Sequence, residues 1–528
     1  MSTKYLTQKI NIPLDCVDPM FKICHSVGLK PSQIKSVTLN SQSLDARRGR
    51  EMHFVCSYVI ETDAFDVKNC TPYVEPYDAL SPVKNKVEGK SCIIVGAGPA
   101  GLFLARYLTT RGVKVIVIER GSNLPKRRED VRSYFSGGDF NAESNVQYGL
   151  GGAGAFSDGK LTCGNSSPLI HTVFKEFVRC GAPKDIMTTN MPHVGTDKLV
   201  AVVSKMRDKI VGGGGEFRFD TLVTDLIVKD GKVVGVKTIN KVSTFKLYAD
   251  CVCLCVGNSA RDVYKMLKRR GVNLQFKPFA VGLRVEHPRK QINSIQYGMH
   301  ATHRDLPSAS YKMAYNGRDG HSCYTFCMCP GGSIIAANSE PKSVVTNGMS
   351  NYARDDDNSN SALVVNVGLE DMARWGYDVA DCLCGVRFQQ DLERAAYKLG
   401  GGNFRAPAQN VVDFVQNVAS TSIDLRCSYP RGVTPCNLRT LFPTEINDTI
   451  ADGLQYFEQR MEGFSTSGTL VGVETRTSAP VRIVRGEDFQ ADIRGLYPVG
   501  EGAGYAGGIV SSGVDALRVG EAIIKSFS

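Results

Sequence analysis

No apolar run in the chain approaches the roughly 18 residues that a membrane-spanning helix needs, so no transmembrane segment is expected. The first residues, MSTKYLTQKINIPLD, contain neither an apolar signal core nor an Arg-rich amphipathic stretch. No export or organelle address is therefore expected, which leaves the cytoplasm as the default compartment. Strong charge of either sign is also lacking: the net charge is +10 over 528 residues. That mild excess suits small anionic ligands and is not by itself the footprint of a nucleic-acid binder. Seventeen cysteines without an export signal read as reduced thiols. Cys16, Cys24, Cys56 and Cys70 lack iron–sulfur spacing, no CxxC pair stands beside a helix start, and no metal site is expected. The alternating Cys251, Cys253 and Cys255, like Cys327/Cys329 and Cys382/Cys384, read as small buried hydrophobes on core strands. No internal repeat is present.

What is present is concentrated first at 91–121, SCIIVGAGPAGLFLARYLTTRGVKVIVIERG. The β-branched run 91–95 predicts a buried parallel strand. Gly96-Ala97-Gly98-Pro99-Ala100-Gly101 follows at once, then Leu102, Ala105 and Leu108 at helical spacing, then a second buried strand closed by Glu119. This is a βαβ unit carrying a dinucleotide fingerprint. Gly96 permits the tight turn, Gly98 the approach of a pyrophosphate, and Gly101 close packing of helix on sheet. Glu119 can accept hydrogen bonds from a ribose diol. Pro99-Ala100-Gly101, with Glu119-Arg120-Gly121 after the second strand, is the variant usual in FAD proteins and favours FAD over NAD. The basic run 126–128 has two readings, a solvated turn or contact with FAD or an anionic substrate.

The remaining chain divides around that unit. Residues 1–88 predict a small α+β module of ferredoxin-like character, with strands at 5–14, 34–40 and 53–61, a helix at 19–27, a basic turn at 43–49, and a polar linker from 69 to 90. Residues 89–262 predict the first part of the FAD-binding domain. They include a glycine-rich loop at 149–161, suited to lying flat against a planar ligand, and a β-meander that ends in the buried strand before Gly257. Residues 263–465 predict a mixed α+β substrate or cap domain, with strands at 280–286, 310–314, 323–328, 332–337 and 362–367 and a polar surface loop at 350–361. Residues 466–528 predict the return to the FAD domain. There Gly500-Glu501-Gly502 and Gly508-Ile509 form an acidic, Gly-rich turn into a helix whose N-terminal dipole would stabilise negative charge on a reduced flavin. The expected fold class is α/β: a Rossmann-like FAD-binding domain with an inserted mixed domain and the small N-terminal module.

Nine motifs in one order carry a resemblance over nearly the whole chain: SLDAR (43–47), the 149–161 loop, GNSARD (257–262), KPFAVGLRVEH (277–287), FCMCPG (326–331), TNGMS (346–350), APAQ (406–409), ETRTS (474–478) and YPVGEGAGYAGG (497–508). The chain resembles the FAD-dependent dehydrogenases. That resemblance implies a glutathione-reductase-like FAD fold, with Gly96, Gly98, Gly101, Glu119, Gly257, Gly500 and Glu501 as cofactor contacts. Other FAD proteins usually carry Gly-Asp where this chain has Gly500-Glu501. The expected function is hydride transfer between FAD and a small-molecule substrate, with NAD(P)H as a candidate electron donor. Lys160, Glu474 and Arg476 are candidates for polarising substrate or flavin; the alternatives are a solvated Lys160 and a structural Glu474–Arg476 ion pair. The glycines at 211–217 lack the strand and helix of a second dinucleotide unit. Two other functions stay open. One is a flavin-dependent RNA-modifying enzyme, although no aromatic-rich RNA motif stands on the N-terminal strands. The other is a non-catalytic flavoprotein that binds a partner through residues 1–88.

Overall fold

The computed structural model describes residues 2–527 except Arg48, Asn165 and Arg318. At its centre five parallel strands lie in the order Leu496–Pro498, Cys251–Leu254, Ser91–Val95, Lys114–Ile118 and Glu216–Arg218. Ile93, Ile94, Val117, Val252 and Leu254 are fully buried. The sheet is covered on both faces, which is why these strands are runs of apolar residues and do not alternate. Helices Pro99–Thr110, Leu169–Arg179, Thr196–Gly212 and Ile509–Phe527 close one face through Leu102, Phe103, Val173, Met206 and Leu517. The other face is closed by the meander Leu222–Lys229, Lys232–Ile239 and Thr244–Tyr248 with helix Arg261–Arg269.

A seven-stranded sheet forms the second body, in the order Ala314–Asn316, Ser322–Cys329, Asn358–Val367, Phe279–Pro288, Thr469–Glu474, Ala406–Asn410 and Val433–Pro435. Its long central pair runs in antiparallel register from Phe279 opposite Val367 to Pro288 opposite Asn358. Two expectations change here. Thr469–Glu474 is an inner strand of this sheet, so the cap extends past the boundary expected at residue 465. The expected surface loop at 350–361 also ends early, because Asn358–Val367 is a strand and Asn358, Ser359, Asn360 and Ser361 are buried. They are polar yet internal because they are paired. Asn360 accepts from Arg284 Nε at 2.7 Å and donates to the Gly332 carbonyl at 2.9 Å, and the Ser359 hydroxyl accepts from Gly331 N–H at 3.0 Å. At 310–314 only Ala314 belongs to a strand.

The N-terminal module is an antiparallel sheet with one helix, Met20–Val27. The strand expected at 5–14 is interrupted into Thr3–Thr7 and Ile10–Pro13, and both halves pair with His53–Thr62, which in turn pairs with Ile34–Asp45. Cys70–Pro72 adds an edge strand. The order of strands is that of a ferredoxin-like sheet, but the stretch 63–69 holds no helix where the second one would stand. Arg48, in the expected basic turn, lies outside the described residues. The expected linker is partly structural too: Ala79 and Leu80 are buried against the central domain. Helix Thr196–Gly212 ends in the glycines at 212–215, which lead into Glu216–Arg218, so that run closes a helix and opens no phosphate loop.

Ile60 is fully buried at the centre of the module's own core. Ile60→Ala is expected to cost about 2–5 kcal/mol, read as a lowered midpoint in urea unfolding followed by hydrogen exchange on the module's strands.

Candidate functional site

Strand Ser91–Val95 lies between its successor Lys114–Ile118 and the much later Cys251–Leu254. The chain leaves its carboxyl end toward Lys114–Ile118, while its other neighbour is added only much later, and this reversal of strand order opens a crevice at that end, the place where doubly wound sheets bind ligands. Three segments meet at it. A Cβ on Gly96 (φ +106°) would lie 2.5 Å from the Cys255 carbonyl, and one on Gly500 (φ +78°) would lie 2.8 Å from Ala100 Cβ. One on Gly502 would strike the Val256 carbonyl, and one on Gly101 the Gly96 carbonyl. The fold itself requires these four glycines.

Four others it does not require. A Cβ on Gly98 would find nothing nearer than Gly152 Cα at 3.9 Å, and around Gly257, Gly507 and Gly508 there is nothing within 4 Å. None of the four has a positive φ. Their bare backbone belongs to the three segments that face the crevice. It fits a ligand that lies directly on main chain, as a pyrophosphate does. Helix Pro99–Thr110 begins at Gly98 with no side-chain cap, which leaves its first N–H groups for that ligand. Ile509, which opens the last helix, packs on the glycine-rich loop: a Cβ on Gly154 would meet its Cγ1 at 3.4 Å.

Glu119 is buried, and its carboxylate accepts from Ala97 N–H at 2.8 Å, Gly121 N–H at 2.9 Å and Gly149 N–H at 2.9 Å. Of about four lone-pair positions on a carboxylate, one on Oε2 is left for a ribose hydroxyl. Arg120, expected against the cofactor, is otherwise engaged. It pairs with Glu143 at 2.8 Å and Asp262 at 3.0 Å, and stacks on Tyr148 with its guanidinium 4.1 Å from the ring centroid. Sequence reasoning missed Arg127. The solvated-turn reading of 126–128 fails for it, because 124–135 is a helix and Arg127 is fully buried. Its guanidinium donates to the carbonyls of Asn145, Val146, Gly149, Leu150 and Gly152, so one side chain holds the start of the glycine-rich loop and the turn that leads into it. Burial lowers its pKa to about 10.

The catalytic candidates separate into two groups. Lys160 is half-buried and engaged: its ammonium lies 3.2 Å from Asp158 and 3.8 Å from the Cys329 sulfur. Burial opposes its charge, but Cys329, Cys327 and Asp158 raise its pKa overall. Burial likewise works against the Asp158 carboxylate, yet Lys160 and Arg354 hold it well below the usual range. Glu474 joins Lys160 through Arg284, a fully buried residue absent from the sequence-based candidates. Arg284 meets Glu474 at 3.2 Å, the Cys327 carbonyl at 2.8 Å and the Cys329 sulfur at 3.7 Å. Gly348 makes room for that guanidinium, since a Cβ there would strike Arg284 Nη2. Burial pushes the Glu474 carboxyl up to about 7 against the pull of Arg284. Arg476 stands apart from Glu474. It forms an ion pair with buried Glu393 at 2.9 Å, which Arg261 also holds at 2.7 Å. The Glu474–Arg476 ion pair considered from the sequence is thus replaced by two separate pairs. Glu501 accepts from Asn258 at 2.8 Å, and burial pushes it up to about 7, partly offset by Lys277.

The fold and the bare glycine cradle define an FAD-binding protein, and comparison with known proteins agrees. Residues 90–129 match the family described as FAD binding domain, and residues 278–477 match the one described as FAD-dependent protein, C-terminal domain-like. FAD is the cofactor. The chain belongs to the same family as an uncharacterized protein of Clostridium beijerinckii (strain ATCC 51743 / NCIMB 8052), 38% identical over 518 residues that cover 96% of this chain and 95% of that one. Among solved structures, a geranylgeranyl bacteriochlorophyll reductase-like protein from Thermoplasma acidophilum is 12% identical, covering 83% of this chain and 80% of its own, with a TM-score of 0.38. A flavin-dependent brominase is 13% identical, covering 82% and 76%, with a TM-score of 0.36. No helix among the described residues is long and apolar enough to cross a membrane.

Two outcomes follow from this geometry. Gly98→Ala should fold with an unchanged melting temperature but lose most bound FAD, whereas Gly101→Ala should fail to accumulate as folded protein; flavin content per mole of soluble chain checks both. Glu501 titrates higher in the folded protein than its ordinary value of 4.5. The folded state therefore binds the extra proton, and the stability this contributes is full below about pH 4.5 and lost as pH rises through about 7. Urea midpoints of the apoprotein should fall over that window, and Glu501→Gln should flatten the fall.

Proposed function

We propose that the protein is an FAD-dependent oxidoreductase of the dehydrogenase type, with a glutathione-reductase-like FAD domain, that moves a hydride between FAD and a small organic substrate. The observation that carries this reading is the bare backbone at Gly98, Gly257, Gly507 and Gly508, which no packing demand of the fold explains. Bound FAD supplies the two-electron chemistry, and the protein supplies position and electrostatics.

The uncapped helix start at Gly98 would hold the pyrophosphate, and the free lone pair of Glu119 a ribose hydroxyl. Helix Ile509–Phe527 would turn its positive N-terminal end toward charge that reduction places on the flavin. On the cap side Lys160 orients an anionic group of the substrate. Glu474, with a carboxyl near neutrality, can give or take a proton around pH 7. Arg476, held by Glu393, positions its strand end and is not assigned contact with the reacting atoms. NAD(P)H is the proposed donor. No second fingerprint is available to bind it, so it would deliver electrons over the face of the flavin between cap and groove. The proposed location is the cytoplasm.

Anaerobic addition of NADPH or NADH to the holoprotein tests the donor: one of them should bleach the flavin band near about 450 nm, and no bleaching by either would contradict it. Glu474→Gln should keep the band but slow bleaching about 100-fold, a size ordinary for general acid–base groups, and should remove any rate inflection near pH 7. An unchanged rate and pH profile would remove Glu474 from the chemistry.

A further inference from the structure

The cysteine pair at the cap edge behaves unlike the packing thiols it resembles in sequence. Strand Ser322–Cys329 pairs regularly with Asn358–Val367 up to Phe326, then advances three residues to Cys329 while its partner advances only from Ala362 to Asn360. That one-residue bulge places Cys327 at φ +46°, a left-handed conformation costly for a residue with a side chain. Bulges of this kind re-aim a side chain next to a site. The bulge is held in place: Arg284 donates to the Cys327 carbonyl at 2.8 Å, and the Cys329 thiol lies 3.4 Å from the same oxygen.

Two cations border the pair, and each also holds a carboxylate, Lys160 that of Asp158 and Arg284 that of Glu474. Lys160 and Arg284 approach the Cys329 sulfur at 3.8 and 3.7 Å. The Cys329 thiol, Lys160 and Arg284 together overcome burial and lower the pKa of Cys327 well below its usual value. On the same strand Cys323, with burial alone acting on it, is pushed up to about 12. Cys327 is partly exposed while Cys329 is fully buried. Lys160, which reaches Cys329 at 3.8 Å, belongs to the glycine-rich loop of the cofactor groove, and Arg284, at 3.7 Å from the same sulfur, also binds Glu474 of the cap, so the pair stands where cap and groove meet.

We propose that Cys327 and Cys329 are a redox-active dithiol that exchanges two electrons with FAD, which makes a thiol or disulfide compound, reaching Cys327 from solvent, the substrate class. This rests on the FAD reading above and deepens it. In the step, the Cys327 thiolate and the Cys329 thiol form an S–S bond, the Cys329 S–H bond breaks, and FAD takes up the two electrons and that proton; the reverse step reduces the disulfide. Residues two apart are separated by at most about 7 Å between Cα atoms even in extended chain, the outer edge of the range a disulfide spans. The external disulfide or thiol then exchanges with Cys327.

The test uses purified holoprotein. Air-oxidised protein is denatured in iodoacetamide before and after reduction, and the peptide containing both cysteines is weighed. Both should escape alkylation before reduction and be modified after it. Anaerobic dithionite titration should consume about four electrons per FAD in the wild type and about two in Cys327→Ser and in Cys329→Ser, the dithiol being a two-electron couple. Full alkylation of both cysteines in the oxidised protein, or two-electron uptake by the wild type, would overturn the proposal. A protein that forms the linkage but has no flavin band would overturn the FAD reading instead, and the electron transfer with it. The wild-type alkylation needs no variant, so a serine variant that fails to fold leaves the proposal open to refutation.

Discussion

Three loops from different parts of the central domain converge on one buried carboxylate, and the site depends on that convergence. Glu119 takes backbone hydrogen bonds from the fingerprint turn, from the end of its own strand and from the glycine-rich loop. Arg127 completes the arrangement by binding five carbonyls between Asn145 and Gly152, three of them in the glycine-rich loop. A buried carboxylate and a buried guanidinium share the work of holding irregular backbone in place. They do so without a direct ion pair: each is satisfied by peptide groups, which is how a charge can be kept away from water without being neutralised. The main chain around Gly98 can stay bare because these side chains, and not packing beneath it, hold its neighbours in position.

The same division of labour recurs on the cap. Glu393 is clasped by Arg261 and Arg476 and joins the end of strand Thr469–Glu474 to helix Cys384–Leu399 and to helix Arg261–Arg269 of the central domain. Its neighbour in function, the Arg284 group, gathers Glu474, Asn360 and the Cys327–Cys329 bulge inside the seven-stranded sheet. One network fixes how the cap meets the groove, and the other holds the residues whose charge and protons can change. That separation explains why Arg476 and Glu474, only two residues apart, have different roles.

The sequence made the cofactor half of the molecule legible and the reaction half much less so. The strand at 91–95, the glycines after it and the helix at 509–527 are local patterns, since each periodicity or glycine spacing acts within about a dozen residues. Their convergence was also readable, because the fingerprint dictates where later strands must end. Arg284 could not be found this way: its partners Glu474, Asn360 and Cys329 lie 190, 76 and 45 residues away and meet it only through sheet register. Arg127 reads as part of a basic run that is either solvated or set against an anionic ligand, because nothing local marks a charge that will be buried under carbonyls. Cys327 and Cys329 looked like core thiols because alternation predicts a regular strand, and only the bulge and the cations beside them distinguish this pair from Cys251, Cys253 and Cys255. The polar run at 358–361 misled for the same reason, since its burial depends on distant partners.

The central claim is that main chain left bare at Gly98, Gly257, Gly507 and Gly508 is a cradle for FAD. A crystal structure of the holoprotein tests it most directly. The account predicts the pyrophosphate in contact with the backbone at Gly98 and the first N–H groups of helix Pro99–Thr110, with the flavin reaching the turn after Gly500 and the Cys327–Cys329 bulge. FAD bound elsewhere, or a pyrophosphate held by side chains away from Gly98, would contradict it.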